Sequence, residues 1–229
     1  MAGGGSNGGG GTGDGWLVLL GGGEFTYGET EDADRAWMEK AGPGPIGFIP
    51  AAAGSNDYPR HFGQYLGEVF QRELEIIPIY RSRDGRRGRN SERIAAVPAV
   101  YLGGGVPDHL LEAIQDTPAA EALAAKLLGG GLVVAIAAAA QCAGRVARSI
   151  FRGESIPGFG WIPDGVVEPN FDPAHDRRLR KMLAAPGVRW GLGIPAGSAV
   201  LLGPEGAMEV VGTVFRVDGP EGDLEVLEG

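Results

Sequence analysis

The chain has a single cysteine, Cys142. An intrachain disulfide is therefore excluded. No apolar run approaches the roughly 20 residues that a membrane-spanning helix needs, so no membrane partner is expected. Positive charge is also short: 20 Lys and Arg stand against 29 Asp and Glu, a net charge of -9. Such a balance excludes a general nucleic-acid binder, which must neutralise phosphates. Histidine occurs three times, at His61, His109 and His175. No spacing of His, Cys, Asp or Glu matches a metal site, so neither metal nor cofactor is expected. The first residues carry no charged n-region and no apolar h-region, so no secretory signal is read there and the cytoplasm is the expected compartment.

Glycine is the residue in excess, with 42 copies, many of them in runs beside apolar segments. Such runs suit tight turns at strand ends. Residues 1–14 form a Gly-rich tail with nothing to bury, which is expected to be flexible. Residues 15–229 are enough for one α/β domain with a real core. Residues 16–20 read as a buried strand ending in Gly21-Gly22-Gly23-Glu24, a turn whose amides can face a ligand. A dinucleotide site is rejected there, because the spaced third glycine and the prompt helix start are missing.

Further strands are expected over 45–50, 75–80, 99–102 and 132–136, and helices over 30–41, 58–74, 91–96, 108–114 and 117–128. The last helix opens with Thr117-Pro118, an N-cap followed by proline at the first helical position. Another helix is expected from residue 137 to about 151. This alternation predicts a mostly parallel sheet with helices on both faces, a flavodoxin-like α/β arrangement. Beyond it, a strand over 165–168, a helix over 173–183 and short strands at 199–202, 208–211, 214–217 and 224–227 suggest an antiparallel end to the sheet. Ligands in such folds gather beyond the carboxyl ends of the strands. Here those ends are the loops at Gly21, Ala51, Arg81, Gly103 and Ala137. The loop at Arg81 opens a stretch, 81–93, with six arginines. A solvated loop is the preferred reading, and a site for an acidic ligand is the alternative.

The centre of the pattern is residues 129–148. Three glycines feed the apolar run 132–136, and four alanines, 137–140, follow before a segment with helical spacing. Strand, tight turn and helix is the arrangement in which α/β hydrolytic enzymes lift a nucleophile above the sheet. Alanine stands where serine or cysteine would be needed.

Taken in order, a series of motifs resembles the cyanophycinase and dipeptidase E family of serine peptidases, which share the class I glutamine amidotransferase-like fold. The motifs are Leu20-Gly21-Gly22-Gly23-Glu24, Phe48-Ile49-Pro50-Ala51-Ala52, Tyr101-Leu102-Gly103-Gly104-Gly105 and Thr117-Pro118. They continue with the turn at Ala137, Gly158-Phe159-Gly160-Trp161-Ile162-Pro163 before Val166-Val167-Glu168-Pro169-Asn170-Phe171, the Arg-Arg-Leu run at 177–179, Gly191-Leu192-Gly193-Ile194 and Ser198-Ala199-Val200. The resemblance covers about residues 16–218. It implies a Gly-x-Ser-Ala-Gly-Ala turn at 135–140, with the nucleophile position at Ala137. It places the family's histidine at Asn170, its Asp-Glu pair at Pro195-Ala196, and its Gly-Gly-Asp/Asn-Gln turn at Gly104-Gly105-Val106-Pro107. A methyl group cannot attack a carbonyl, and a neutral carboxamide cannot serve as a general base. The inherited activity is expected to be lost, leaving the oxyanion-type backbone of Gly103, Gly104 and Gly105.

Other pocket candidates are Ala52, Ala138 and Gln141, with Glu24 and Glu168 as acids near strand ends. Cys142, five residues past the elbow, is read as a buried core residue rather than a displaced nucleophile. His175 is read as a surface histidine rather than a displaced base. His61 and His109 are assigned to structural or surface roles. The expectation is a catalytically degenerate relative that binds a small molecule or peptide or is structural, and acts as a homo-oligomer. The alternatives are a peptide or amide hydrolase using a displaced nucleophile or an activated water, and an amidotransferase-like subunit that contacts a partner enzyme.

Overall fold

The computed structural model describes residues 13–53 and 57–229. Residues 1–12, most of the expected tail, lie outside them. So do residues 54–56 in the loop after the second strand.

The central sheet has seven strands in the order β11-β10-β1-β5-β4-β2-β3. They are β1 (Trp16–Leu20), β2 (Ile46–Ile49), β3 (Leu74–Ile76), β4 (Ala99–Leu102), β5 (Leu132–Ile136), β10 (Ala199–Leu202) and β11 (Met208–Val211). The five from β1 to β3 in that order are parallel. The strands β10 and β11 add on antiparallel beside β1, as the C-terminal spacing predicts. Strand β5 is buried at every position, which is why its sequence runs apolar without alternation.

Helices cover both faces. On one face α1 (Glu31–Lys40) and α2 (Asp57–Phe70) pack Trp37, Phe62 and Leu66 against Val18, Phe48, Tyr101 and Val134. On the other, α4 (Gly88–Ala96), α5 (Pro107–Ile114) and α6 (Pro118–Leu128) pack Ile94, Leu110 and Leu123 against Leu17, Leu102 and Val133. Buried beneath α1 is Asp34, whose carboxylate accepts from Thr30 Oγ1, Trp37 Nε1 and Tyr65 Oη at 2.8, 2.8 and 3.1 Å. Burial pushes its pKa up from 3.8 to about 6, because desolvation disfavours the charged form more than these three donors favour it.

Several local expectations are corrected. The helix expected from 137 to about 151 stops after one turn, as α7 (Ala138–Cys142). The carbonyls of Cys142, Ala143 and Gly144 are taken by the amides of Phe159, Ile162 and Gly160 instead of by a next helical turn. The chain then forms a two-stranded ribbon, β6 (Val146–Arg148) with β7 (Ser155–Pro157). Helix α2 ends at Phe70, and the third strand is Leu74–Ile76 rather than 75–80. Residues 81–93 are not a loop: they form α3 (Ser82–Gly85) and α4. Thr117 does not cap α6 through its side chain; its hydroxyl donates back to Ile114 O.

A second sheet was not expected. It holds β8 (Gly165–Pro169), β9 (Trp190–Ile194), β12 (Thr213–Asp218) and β13 (Glu225–Glu228) in the order β13-β12-β9-β8. Strand β9 escapes sequence reading because two of its five residues are glycine. A Cβ on Gly193 would meet the Phe171 ring at 2.5 Å, and one on Gly191 would meet Leu179 of α8 (Arg177–Leu183) at 2.8 Å. Close packing, not a turn, demands glycine there.

Candidate functional site

The parallel topology brings the loops after β1, β2, β4 and β5 to one edge. Strand β5 ends at Ile136, and the chain turns through Ala137 into α7. The turn is held by Ala137 N–H donating to Leu20 O and by Gln141 N–H donating to Ala137 O, at 3.0 and 3.1 Å. It forces Ala137 to φ 51° and ψ −115°, a backbone conformation costing about 1–3 kcal/mol in a non-glycine residue. This is the geometry of a nucleophile elbow, with a methyl group at its apex.

The apex opens on a cleft of about 460 Å³ lined by Gly22, Gly23, Glu24, Glu29, Ala53, Tyr58, Gly104, Ile136, Ala137, Asn170 and Ala196. Asn170 follows β8, and its N–H donates to Gly21 O at 2.8 Å. Gly22, at φ 141°, leaves the space that the Asn170 carboxamide fills; a Cβ there would stand 2.3 Å from Asn170 Oδ1. Residues 137 and 170, far apart in sequence, thus face one cleft. Ala196, which follows β9, lines it too.

Two carboxylates and no basic side chain are among these lining residues. Glu24 and Glu29 are both exposed, and Glu29 Oε2 accepts from the Glu24 amide at 2.8 Å. The only hydroxyl among the described lining residues is that of Tyr58. Burial pushes this phenol well above the ordinary tyrosine range, and the nearby Asp34 and Glu24 charges add to the shift. It is a poor nucleophile and a poor base at neutral pH. Beside the Ala137 methyl, the amide of Gly104 donates to no backbone carbonyl among the described residues, and neither does that of Gly105. They keep the capacity to receive a ligand oxygen.

The remaining candidates fall elsewhere. Gly103 is packed under the Phe48 ring, where a Cβ would stand 2.7 Å from Cζ. Gly105 sits over the Ala52 carbonyl. Ala52 itself is buried, and its carbonyl accepts from Val106; the neighbouring Ala53 reaches the cleft instead. Ala138 begins α7, buried behind the apex.

Pocket roles for Gln141, Glu168, Cys142 and His175 are not supported by their positions. Gln141 points inward, with Nε2 donating to Glu168 Oε2 at 3.2 Å and Oε1 accepting from Arg148 N–H at 3.0 Å. Glu168 is buried beside Arg148 Nη2 at 3.4 Å. Burial raises its pKa, opposed by Arg148, Arg178 and the Gln141 amide. The group braces β8 against α7 and β6. Cys142 is fully buried against Pro107 O, and burial pushes its thiol far up, away from the reactive thiolate. His175 is exposed in the turn Pro173–His175, its Nδ1 2.7 Å from Asp172 Oδ2.

Cleft residues missed in the sequence are Glu29, Tyr58 and Ala53. Only the glycine turn beside Glu24 signalled that region. Among the described residues there is no cluster of three or more His, Cys, Asp or Glu able to hold a metal ion. No helix of the described residues is long and apolar enough to cross a membrane.

The sheet order, the strained elbow after β5 and the cleft at the carboxyl edge define the class of α/β proteins built like hydrolytic enzymes of the elbow type. Residues 17–210 match the sequence pattern of peptidase family S51, and the chain belongs to that family. No curated protein matches it. Among solved structures, it is similar to a peptidase from an acI-B1 Actinobacterium. The two are 21% identical over 94% of this chain and 97% of the other, with a TM-score of 0.73. It is also similar to a structure named for a Peptidase E protein from Listeria monocytogenes EGD-e. There the identity is 13% over 86% of this chain and 98% of the other, with a TM-score of 0.65. At these identities the structures support the fold. The mostly parallel α/β arrangement of the dipeptidase E type is the one the motifs imply.

Proposed function

We propose that this chain is a catalytically degenerate member of peptidase family S51 that binds a small ligand in the elbow cleft. One observation carries the reading: Ala137 holds the strained apex conformation, and Asn170 faces the same cleft where the family's histidine is expected. Nucleophile and base act as a unit, so the absence of both removes the covalent route. Glu24 and Glu29 in the cleft, with no basic side chain among the described lining residues, favour a ligand bearing an amino group, such as a peptide N-terminus. A cytoplasmic, homo-oligomeric protein without nucleic-acid or membrane partners is the setting that goes with this reading.

The test uses a serine-directed fluorophosphonate and a panel of dipeptides and amides. The wild-type protein is expected neither to take the label nor to release product. The double variant Ala137→Ser with Asn170→His is expected to be labelled. Hydrolysis by the wild type that survives repurification sinks the proposal. A second reading, water activated by a carboxylate, rests on Glu24 and Glu29 in the cleft. It requires wild-type turnover that disappears in Glu24→Gln or Glu29→Gln.

A further inference from the structure

The arginine stretch 81–93 plays no part in the elbow cleft. Six arginines against Asp84 and Glu92 leave it at net +4 in a chain of net -9. Arg81, Arg83 and Arg87, with His109 of α5, line a separate cleft of about 620 Å³ next to the carboxyl end of β3. Asp84 and Glu112 are the acids at its wall.

The arginines stand on a rigid base. Asp84 is buried, and its Oδ2 accepts from the amides of Tyr80 and Arg81, both at 3.2 Å. Asn90 is buried as well, and its Nδ2 donates to Asp84 O at 2.9 Å and to Pro78 O at 3.3 Å. Gly85 lets α3 touch α5 so closely that a Cβ would stand 2.3 Å from Ala113 O. Buried polar groups thus fix the backbone, while the guanidinium groups are left with little. Arg83 Nε and Arg87 Nη1 lie 3.9 and 3.5 Å from Asp84 Oδ1. Among the described residues, the guanidinium groups of Arg81, Arg83 and Arg87 donate no hydrogen bond. Asp84, whose Oδ2 already accepts from two amides, faces the forked donors of both Arg83 and Arg87.

Convergent guanidinium groups in a concave, pre-organised wall match planar or tetrahedral oxyanions. We infer that this cleft is a binding site for a small, multiply charged oxyanion, a polycarboxylate or a phosphate, separate from the elbow cleft.

Citrate and inorganic phosphate serve as probes on the full chain, titrated calorimetrically against sodium chloride of equal ionic strength. Saturable binding of at least one is expected, with a rise of about 3 °C or more in the unfolding midpoint at tenfold excess over the dissociation constant. The citrate and phosphate arms separate the two sources of the chemistry. The variant Arg83→Gln/Arg87→Gln is expected to bind at least tenfold more weakly. The control Arg35→Gln, on α1 and paired with Glu31, is expected to bind as the wild type does. Arg83 and Arg87 are exposed, so the double variant is expected to keep its anion-free midpoint; if it does not, Arg81→Gln takes its place with the same expectation. Absence of saturable binding by both probes, or equal binding by the arginine variants and the wild type, overturns the proposal.

Discussion

Replacing Ala137 by glycine tests whether the elbow is strained. At φ 51° and ψ −115°, the alanine costs about 2 kcal/mol, the middle of the range for such conformations. Glycine removes that cost. It also adds unfolded-state freedom worth about 0.7 kcal/mol and deletes a half-buried methyl worth about 0.4 kcal/mol. The net is a stabilisation of about 1 kcal/mol, or roughly 2–4 °C in the midpoint of a chain of this size. The comparison variant is Ala139→Gly, two residues on, fully buried and inside α7. It has no strain to relieve, and is expected to lose about 1.5–2 kcal/mol from entropy, burial and the small cavity together. Urea titrations of the two variants therefore differ by about 2.5–3 kcal/mol. If Ala137→Gly loses as much stability as Ala139→Gly, the turn is not strained and the argument from elbow geometry fails.

Other expectations follow the same physics. Asp34 holds its proton up to about pH 6 in the folded chain but only to about 3.8 when unfolded. Its share of stability is full below the lower value and is lost as pH rises through the upper one, about 3 kcal/mol in all. Asp34→Asn is expected to flatten that slope between pH 4 and 6.5 in urea titrations; an unchanged slope refutes the assignment. Gly105→Ala places a Cβ 2.5 Å from Ala52 O at φ 142°, and is expected to cost about 2–4 kcal/mol. Cys142 is expected to resist a thiol reagent in native protein and to react fully in 6 M guanidinium, because it is fully buried; rapid native labelling would place it at the surface.

The parallel core was legible because strands such as β1 and β4 are continuous apolar runs closed by glycine turns, and because α2 repeats Phe62 and Leu66 at helical spacing. Residues 137 and 170 could be paired only through the resemblance, since nothing local to either announces the other. The short α7 was not legible. Its end is set by amides of Phe159, Gly160 and Ile162 reaching back across the fold, while the local alanine pattern favours a longer helix. Glycine hid β9 for a similar reason: the ring of Phe171 and the side chains of α8 occupy the space that strand-forming side chains would fill. The arginine stretch reads as solvated by composition. Its two buried anchors, Asp84 and Asn90, are polar residues whose burial only the tertiary structure reveals.

The turn after β2 has two sides. Ala51 lines the arginine cleft, and Ala53 lines the elbow cleft. Between them, the Ala52 carbonyl ties the turn to Val106, which follows Gly104 and Gly105. Among the described residues, this turn therefore forms a wall shared by an anionic basin and an arginine-lined one. An occupant that shifts the wall from one side alters the shape offered on the other. By linkage, any such effect runs equally in both directions. Ala51 and Ala53 make the two basins spatial neighbours, and coupling between them is read by comparing affinity on one side with the other side occupied.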